Sequence, residues 1–246
     1  MAPTPWTRRF AFSWPQSVAY FERRYGVLRR FEDEGLVRQF RVSEQRIGVY
    51  LGDANHELVY GLRSIEGSLF KPDGDWDRMS AALDIVLADL QPKRLLRPVL
   101  RFQWLIALDA EYDEARRAGA LEMLGDAGKG LTDWSGLVDG ELESPPSTFQ
   151  AEFGILDAAE APQRLSRQIG RVQGERDTPP PTLWPTESLP PVAFFCETIA
   201  QGTEPPEPSV EAISAFVRDS QDALGGIVSG MMERVTGMTR GGPDSE

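Results

Sequence analysis

The sequence predicts an α+β fold: a mainly antiparallel sheet, amphipathic helices packed on one face of it, and a long C-terminal helix. Three observations carry this. The elements run β-α-β-β-β-α-β-(α)-β-β-β-α, which is not the strict alternation of a parallel doubly wound sheet. Val99 to Asp109 is apolar on one parity and mixed on the other, as in a central strand covered mainly on one side. From Ser209 onward, apolar residues recur at three- and four-residue steps in one long helical pattern.

In chain order, Arg8 to Trp14 alternates, with Phe10, Phe12 and Trp14 on one face, and Pro15 ends the strand. Helical spacing begins at Ser17, with Val18, Phe21, Tyr25 and Leu28 as the expected apolar stripe and Arg23, Arg24, Arg29 and Arg30 outside it. Short strands follow at 40–42, 47–51 and 58–62. The last two are joined by Gly52-Asp53-Ala54-Asn55, residue types that hairpin turns favour. Asp75 to Leu90 reads as a helix presenting Trp76, Met79, Leu83, Val86, Leu87 and Leu90, stopped by Pro92.

In the strand that follows, Leu100, Phe102, Trp104, Ile106 and Leu108 form the apolar face. Residues 111–124 suggest a short helix, 125–146 a Gly/Pro-punctuated excursion, 149–155 a strand, and 165–172 an exposed or edge strand. Residues 178–191 and 203–208 are too proline-rich for a ladder and are expected as loops flanking a strand at 192–199. Ser209 caps the last helix, whose stripe is Val210, Ile213, Val217, Leu224, Ile227 and Met231. One domain is expected over 1–238, with a disordered tail at 239–246. No repeat of solenoid period is evident, and the helix–strand unit 75–109 and strand–helix unit 192–235 are expected as two arms of one sheet.

Apolar residues make up 41% of the 246-residue chain and charged residues 26%, which suits a globular core. The net charge of -12 opposes general binding to nucleic acid or anionic membrane. The charge is uneven: residues 1–50 hold nine Arg against five acids, so a basic N-terminal face adjoins an acidic body. The single cysteine, Cys196, excludes an internal disulfide and a multi-Cys zinc site. Neither a signal-peptide h-region nor an apolar run of about 18–20 residues occurs, so a cytoplasmic location is the expectation.

Few residues point to chemistry. His56, the sole histidine, lacks the second His of a zinc motif and reads as an exposed turn residue. Cys196 sits in VAFFCETI, where a strand wants a small apolar residue rather than a nucleophile. Asp73, Asp75, Asp77 and Asp84 mimic calcium-loop spacing, but Arg78 stands where that loop needs Gly. Gly125 to Gly130 resembles a phosphate loop without its first Gly or its Ser/Thr. No catalytic residue, metal site or cofactor is therefore expected.

The candidate contact residues are Gly226, Ile227, Gly230 and Met231 on the terminal helix, Arg23 and Arg30 on the first helix, and Trp184 in the Pro-rich stretch. Gly226 and Gly230 would let a second element approach closely. The leading expectation is a non-enzymatic protein that binds another protein or itself. An enzyme or accessory subunit using carboxylate and Arg groups in a cleft, and a nucleic-acid module on the Arg-rich helix, stand as alternatives.

The run VLRFQWLIALDA, preceded by DWDRMSAALDIVLADLQPKRLL, resembles a sporadically distributed, uncharacterised bacterial family of about this length. Leu100-Arg101-Phe102 matches that family's LRY core, and PPVAFFCETI with SVEAISAFVRDSQDALGGIVSGMMERV matches its terminal strand and helix. Pro98-Val99, Trp104 and Asp222 depart from the pattern. The arrangement is also similar to SecB-type export chaperones, antiparallel sheets backed by a long helix. The resemblance implies a fold and no catalytic residues.

Overall fold

The computed structural model describes residues 3–52, 56–70, 76–129, 131, 134–166 and 188–237. The expected disordered tail, most of the 178–191 stretch and Trp184 lie outside these residues. The elements are β1 (Thr7–Ser13), α1 (Ala19–Asp33), β2 (Val37–Val42), β3 (Arg46–Leu51), β4 (His56–Gly61) and β5 (Ser64–Leu69). There follow α2 (Trp76–Leu90), β6 (Leu96–Ala107), α3 (Tyr112–Leu124), β7 (Gly136–Leu142), β8 (Ser147–Asp157), α4 (Ala161–Ser166), β9 (Val192–Gly202) and α5 (Val210–Thr236). All strands join one nine-stranded sheet in the order β2-β3-β4-β5-β1-β6-β9-β8-β7, and neighbouring strands pair antiparallel throughout.

That order resolves into two copies of one unit. In the first, β1 leads through α1 into the meander β3-β4-β5, β5 returns to pair with β1, and α2 follows. In the second, β6 leads through α3 into β7-β8-β9, β9 returns to pair with β6, and α5 follows. The units meet where β1 pairs with β6. The helices obey the same symmetry, with α1 against α2, α2 against α5, and α5 against α3. A trace survives in the residues: Arg9-Phe10-Ala11-Phe12 and Arg101-Phe102-Gln103-Trp104 occupy equivalent positions, and Arg9 lies directly opposite Arg101. The units differ in two places. β2 is an extra strand in the first, and α4 is an insertion in the second.

The main core lies between the sheet and α1, α2, α3 and α5. Phe10, Phe12, Phe102, Trp104 and Phe194 fill its centre, all fully buried, with Met79, Leu83, Val86, Leu224 and Val228 above them. Each strand delivers these side chains at period two, and each helix at period three to four. Ser209 caps α5, its hydroxyl accepting from the Ala212 amide at 3.2 Å. Among the described residues, the opposite face of the sheet is covered in one region, over part of the second unit. There α4 and the 188–191 segment bury Leu165, Leu189, Leu105 and Phe195 in a smaller cluster.

Four expectations need correction. The first helix buries Tyr20, Val27, Leu28 and Phe31 and leaves Val18, Phe21 and Tyr25 exposed. Its true stripe lies roughly a third of a turn from the expected one. His56 is not an exposed turn residue but the first residue of β4, 8% exposed and paired with Leu51 and Leu69. Residues 161–166 are helical where a strand was expected to start at 165. On α5 the buried stripe runs through Ile213, Val217, Ser220, Leu224, Val228, Met232 and Val235, so Ile227 and Met231 flank it.

Two strands, β5 and β7, escape sequence reasoning because glycines interrupt their alternation. A Cβ on Gly67 would meet the Phe10 ring at 2.1 Å, and one on Gly136 the Phe153 ring at 2.2 Å. These glycines are spaces filled by a neighbouring strand's aromatic ring.

Trp104 is fully buried against Phe102 at the centre of the core. Trp104→Ala is expected to cost about 3–5 kcal/mol, read by chemical denaturation. A loss below about 1 kcal/mol, the ordinary effect of a surface change, would place the residue outside the core.

Candidate functional site

Where the sheet face is not covered by the four long helices, the seam between the two units carries a polar cluster. Arg9 donates to Glu66 on β5 at 3.2 Å, and Arg101 pairs with Glu197 on β9. The two pairs occupy equivalent places in the two units: each Glu lies diagonally across from its Arg on the adjoining strand. Gln103, fully buried, accepts from Thr7 at 2.8 Å and donates to Glu197 at 3.2 Å and to the Arg164 carbonyl at 3.1 Å. Arg164 in turn donates to Glu152 at 3.0 Å. The cluster is thus a set of internal ion pairs and amide hydrogen bonds holding strands and α4 in place.

Glu57 lies beside it on β4, 7% exposed. Burial raises its pKa above the ordinary carboxyl value, and the positive charges of Arg9 and Arg41 oppose that shift. Cys196 is buried on β9, and burial pushes its thiol pKa up, away from the reactive thiolate. His56 on β4 and Cys196 on β9 are four strands apart in the sheet, on the order of 19 Å. They cannot form a nucleophile–base pair. Among the described residues no cluster of His, Cys, Asp and Glu could hold a metal ion. The Gly125–Gly128 run is a 3-10 turn continuing α3, not a loop after a strand.

A cleft of about 540 Å³ opens between α2 and α5, lined by Arg8, Trp76, Ser80, Glu211, Ser214 and Arg218. The Trp76 indole spans it to donate to Ser214 Oγ at 3.1 Å. The cleft is crossed by a structural bond between its two walls.

The nominated contact residues separate. Arg23 donates to the Asp89 carbonyl at 2.7 Å and Arg30 to the Asp89 carboxylate at 3.1 Å, so both clamp α1 onto the C-terminal end of α2. That is the end of a helix where a positive charge is favoured. Gly226 and Gly230 lie on the exposed side of α5 with open space above them. Ile227 and Met231 are half-buried against the domain's own core. The structure does not bring Arg23 and Arg30 together with the α5 residues. The indoles of Trp6, Trp14 and Trp134 donate to the carbonyls of Leu105, Leu62 and Arg116 and act as plugs.

What sequence reasoning missed is the distribution of exposed apolar side chains. They fall in two groups, at opposite lateral ends of the sheet. One end shows Val18 at the N-cap of α1 and Phe21 and Tyr25 within it, with Phe40 and Val42 of β2. Arg24 joins these elements: its guanidinium lies 4.9 Å from the Tyr25 ring centroid and donates to the Glu44 carbonyl in the β2–β3 turn at 2.8 Å. The other end shows Leu121, Met123 and Leu124 of α3, Leu131, and Leu137 and Val138 of β7. The only hint in the sequence is that α1 has more apolar positions than one buried face needs.

The chain matches no protein-family model and no curated protein. Among the described residues, no helix is long and apolar enough to cross a membrane.

Two expectations follow from the polar cluster. A carboxyl whose folded pKa is raised binds its proton more tightly in the native state, so its contribution to stability falls as pH rises past the unfolded value. Glu57→Gln should therefore raise the melting temperature at pH 7, with the gain vanishing below the ordinary Glu pKa of 4.5. A Glu57→Gln gain that is equal at both pH values would contradict this. The Glu197 side chain is 12% exposed and that of Glu66 is 26% exposed. The arginines left behind are equally exposed, at 33% and 34%, but Glu197 also accepts from the fully buried Gln103 amide, and a buried donor that loses an acceptor costs free energy. Glu197→Ala should accordingly destabilise more than Glu66→Ala in parallel urea melts.

Proposed function

We propose that this protein acts by binding other protein chains through the two lateral ends of its sheet, and not by catalysis. The observation that carries this is the segregation of exposed apolar side chains. The described parts of α2, α5 and the five central strands leave no large apolar side chain exposed, whereas both ends do. A folded surface ordinarily scatters such residues singly, and grouped ones mark contact sites. Aromatic side chains beside an arginine, as at Phe21, Arg24 and Tyr25, are the residue types that anchor interfaces. Fully burying one such ring is worth about 1.5–3 kcal/mol, so a few of them can support association against its entropic cost.

The ionisable groups of the sheet centre support the non-catalytic reading, since Arg9, Arg101 and Arg164 are engaged with Glu66, Glu197 and Glu152. The likeness to SecB-type chaperones agrees with a binding role as an analogy of fold alone.

The test is site-specific photocrosslinking in the cell that makes the protein. A photoreactive residue at Tyr25 or Leu124 should give discrete protein adducts, identified by mass spectrometry. One at Asp222, on the exposed side of α5, should give none. Equal adduct patterns at all three positions, or none at any, would remove this reading.

A further inference from the structure

The two ends are not alike, and their difference specifies one occupant. The β2 edge strand, Val-Arg-Gln-Phe-Arg-Val, carries Arg38 and Arg41 and no acid. The β7 edge strand, Gly-Leu-Val-Asp-Gly-Glu-Leu, carries Asp139 and Glu141 and no base. Outside the β2 bulge at Val37–Gln39, register assigns these side chains to a face. Phe40 and Val42 pair with Val49 and Ile47, which places them on the helix-covered face, while Arg41 pairs with Gly48 on the other. Val138 pairs with Ala151 on the helix-covered face, while Asp139 and Glu141 pair with Gln150 and Thr148 on the other. Both edges are therefore apolar on the helix side, while on the open side β2 carries Arg41 and β7 carries Asp139 and Glu141 beside the exposed Leu137, which pairs with Glu152.

We infer that the β7 edge of one copy receives the β2 edge of a second copy, head to tail, extending the sheet from chain to chain. This rests on the protein-binding reading above and names its partner. β2 and β7 stand first and ninth in an alternating antiparallel sheet, so they run in the same direction. Two copies placed edge to edge with helices on one side pair β7 with the partner's β2 in parallel. That arrangement puts Phe40 and Val42 beside Val138, and Arg41 beside Asp139 and Glu141. The isologous alternatives, β7 on β7 or β2 on β2, set like charges against each other. Unit symmetry points to the same edge. In the first unit the outer edge of β3 is covered by β2, whereas among the described residues nothing pairs with its counterpart, the outer edge of β7. Such an edge is a template for an added strand.

The test is sedimentation equilibrium over a wide concentration range, at low and high salt. Wild type should exceed the 27.4 kDa monomer increasingly with concentration, and less so at high salt. Phe40→Asp and Val138→Asp each disable one edge. Both positions are exposed, at 42% and 36%, so the variants should melt like wild type. Each variant alone should be monomeric. Mixed one to one, they should form a dimer and nothing larger, because the intact β7 of the first accepts the intact β2 of the second. A wild type that stays at 27.4 kDa throughout, variants that assemble as wild type does, or a mixture that gives no dimer would each overturn the inference. A strictly monomeric wild type that still gives adducts with other proteins at Tyr25 or Leu124 would sink self-assembly and leave the protein-binding reading standing. Failure of both experiments would remove the two together.

Discussion

The pairing of β1 with β6 is the constraint on which the rest of the molecule depends. It is the one strand contact that makes two β-α-β-β-β-α units into a single sheet. Its register sets Arg9 directly opposite Arg101, and like charges in that position repel. The arrangement is stable because each Arg has a carboxylate one step diagonally outward, Glu66 on one side and Glu197 on the other. On the reverse face the same register sets Phe10 opposite Leu100 and Phe102 opposite Arg8, and the aromatic pairs Phe10–Phe12 and Phe102–Trp104 lie in the core beneath α2 and α5. Charge on one face and aromatic volume on the other select one alignment, because a slip of one residue would exchange them.

How much of this could be read from the sequence varied with the kind of signal. Long amphipathic segments were legible: α2, α5, β1 and β6 lie where periodicity puts them, and the antiparallel α+β class follows from their order. Elements that hold glycine for packing reasons were not. The value of Gly67 and Gly136 lies in the aromatic ring of another strand, which no local window contains. The α1 stripe failed for a related reason. Both sides of that helix carry aromatic residues, and only the position of Tyr60 beneath it decides that Tyr20 and Phe31 face inward. The two units share just Arg-Phe-x-aromatic, too short to stand out before the strands were seen side by side.

The same contrast holds for the candidate site. The sequence drew attention to rare residues and to the terminal helix, yet His56 and Cys196 are buried strand residues and α5 lies along its own sheet. The lateral ends escaped notice because being an edge is a property of topology. β2 and β7 are ordinary six- and seven-residue strands. Nothing in either announces that, among the described residues, it has a strand neighbour on one side alone. Their opposite charges were visible only as a general imbalance between the first fifty residues and the remainder.

β1 also has an unusual address. It begins at the seventh residue of the chain, yet it is the fifth strand of nine. Here the first strand is the keystone: its two edges carry β5 and β6, and Trp6 just before it bonds to Gln103 and Leu105. Deleting these few residues would leave two separate half-sheets, each with a freshly exposed aromatic interior. β1 thus bears the packing demands of the middle of a core, although it precedes every other strand in sequence order.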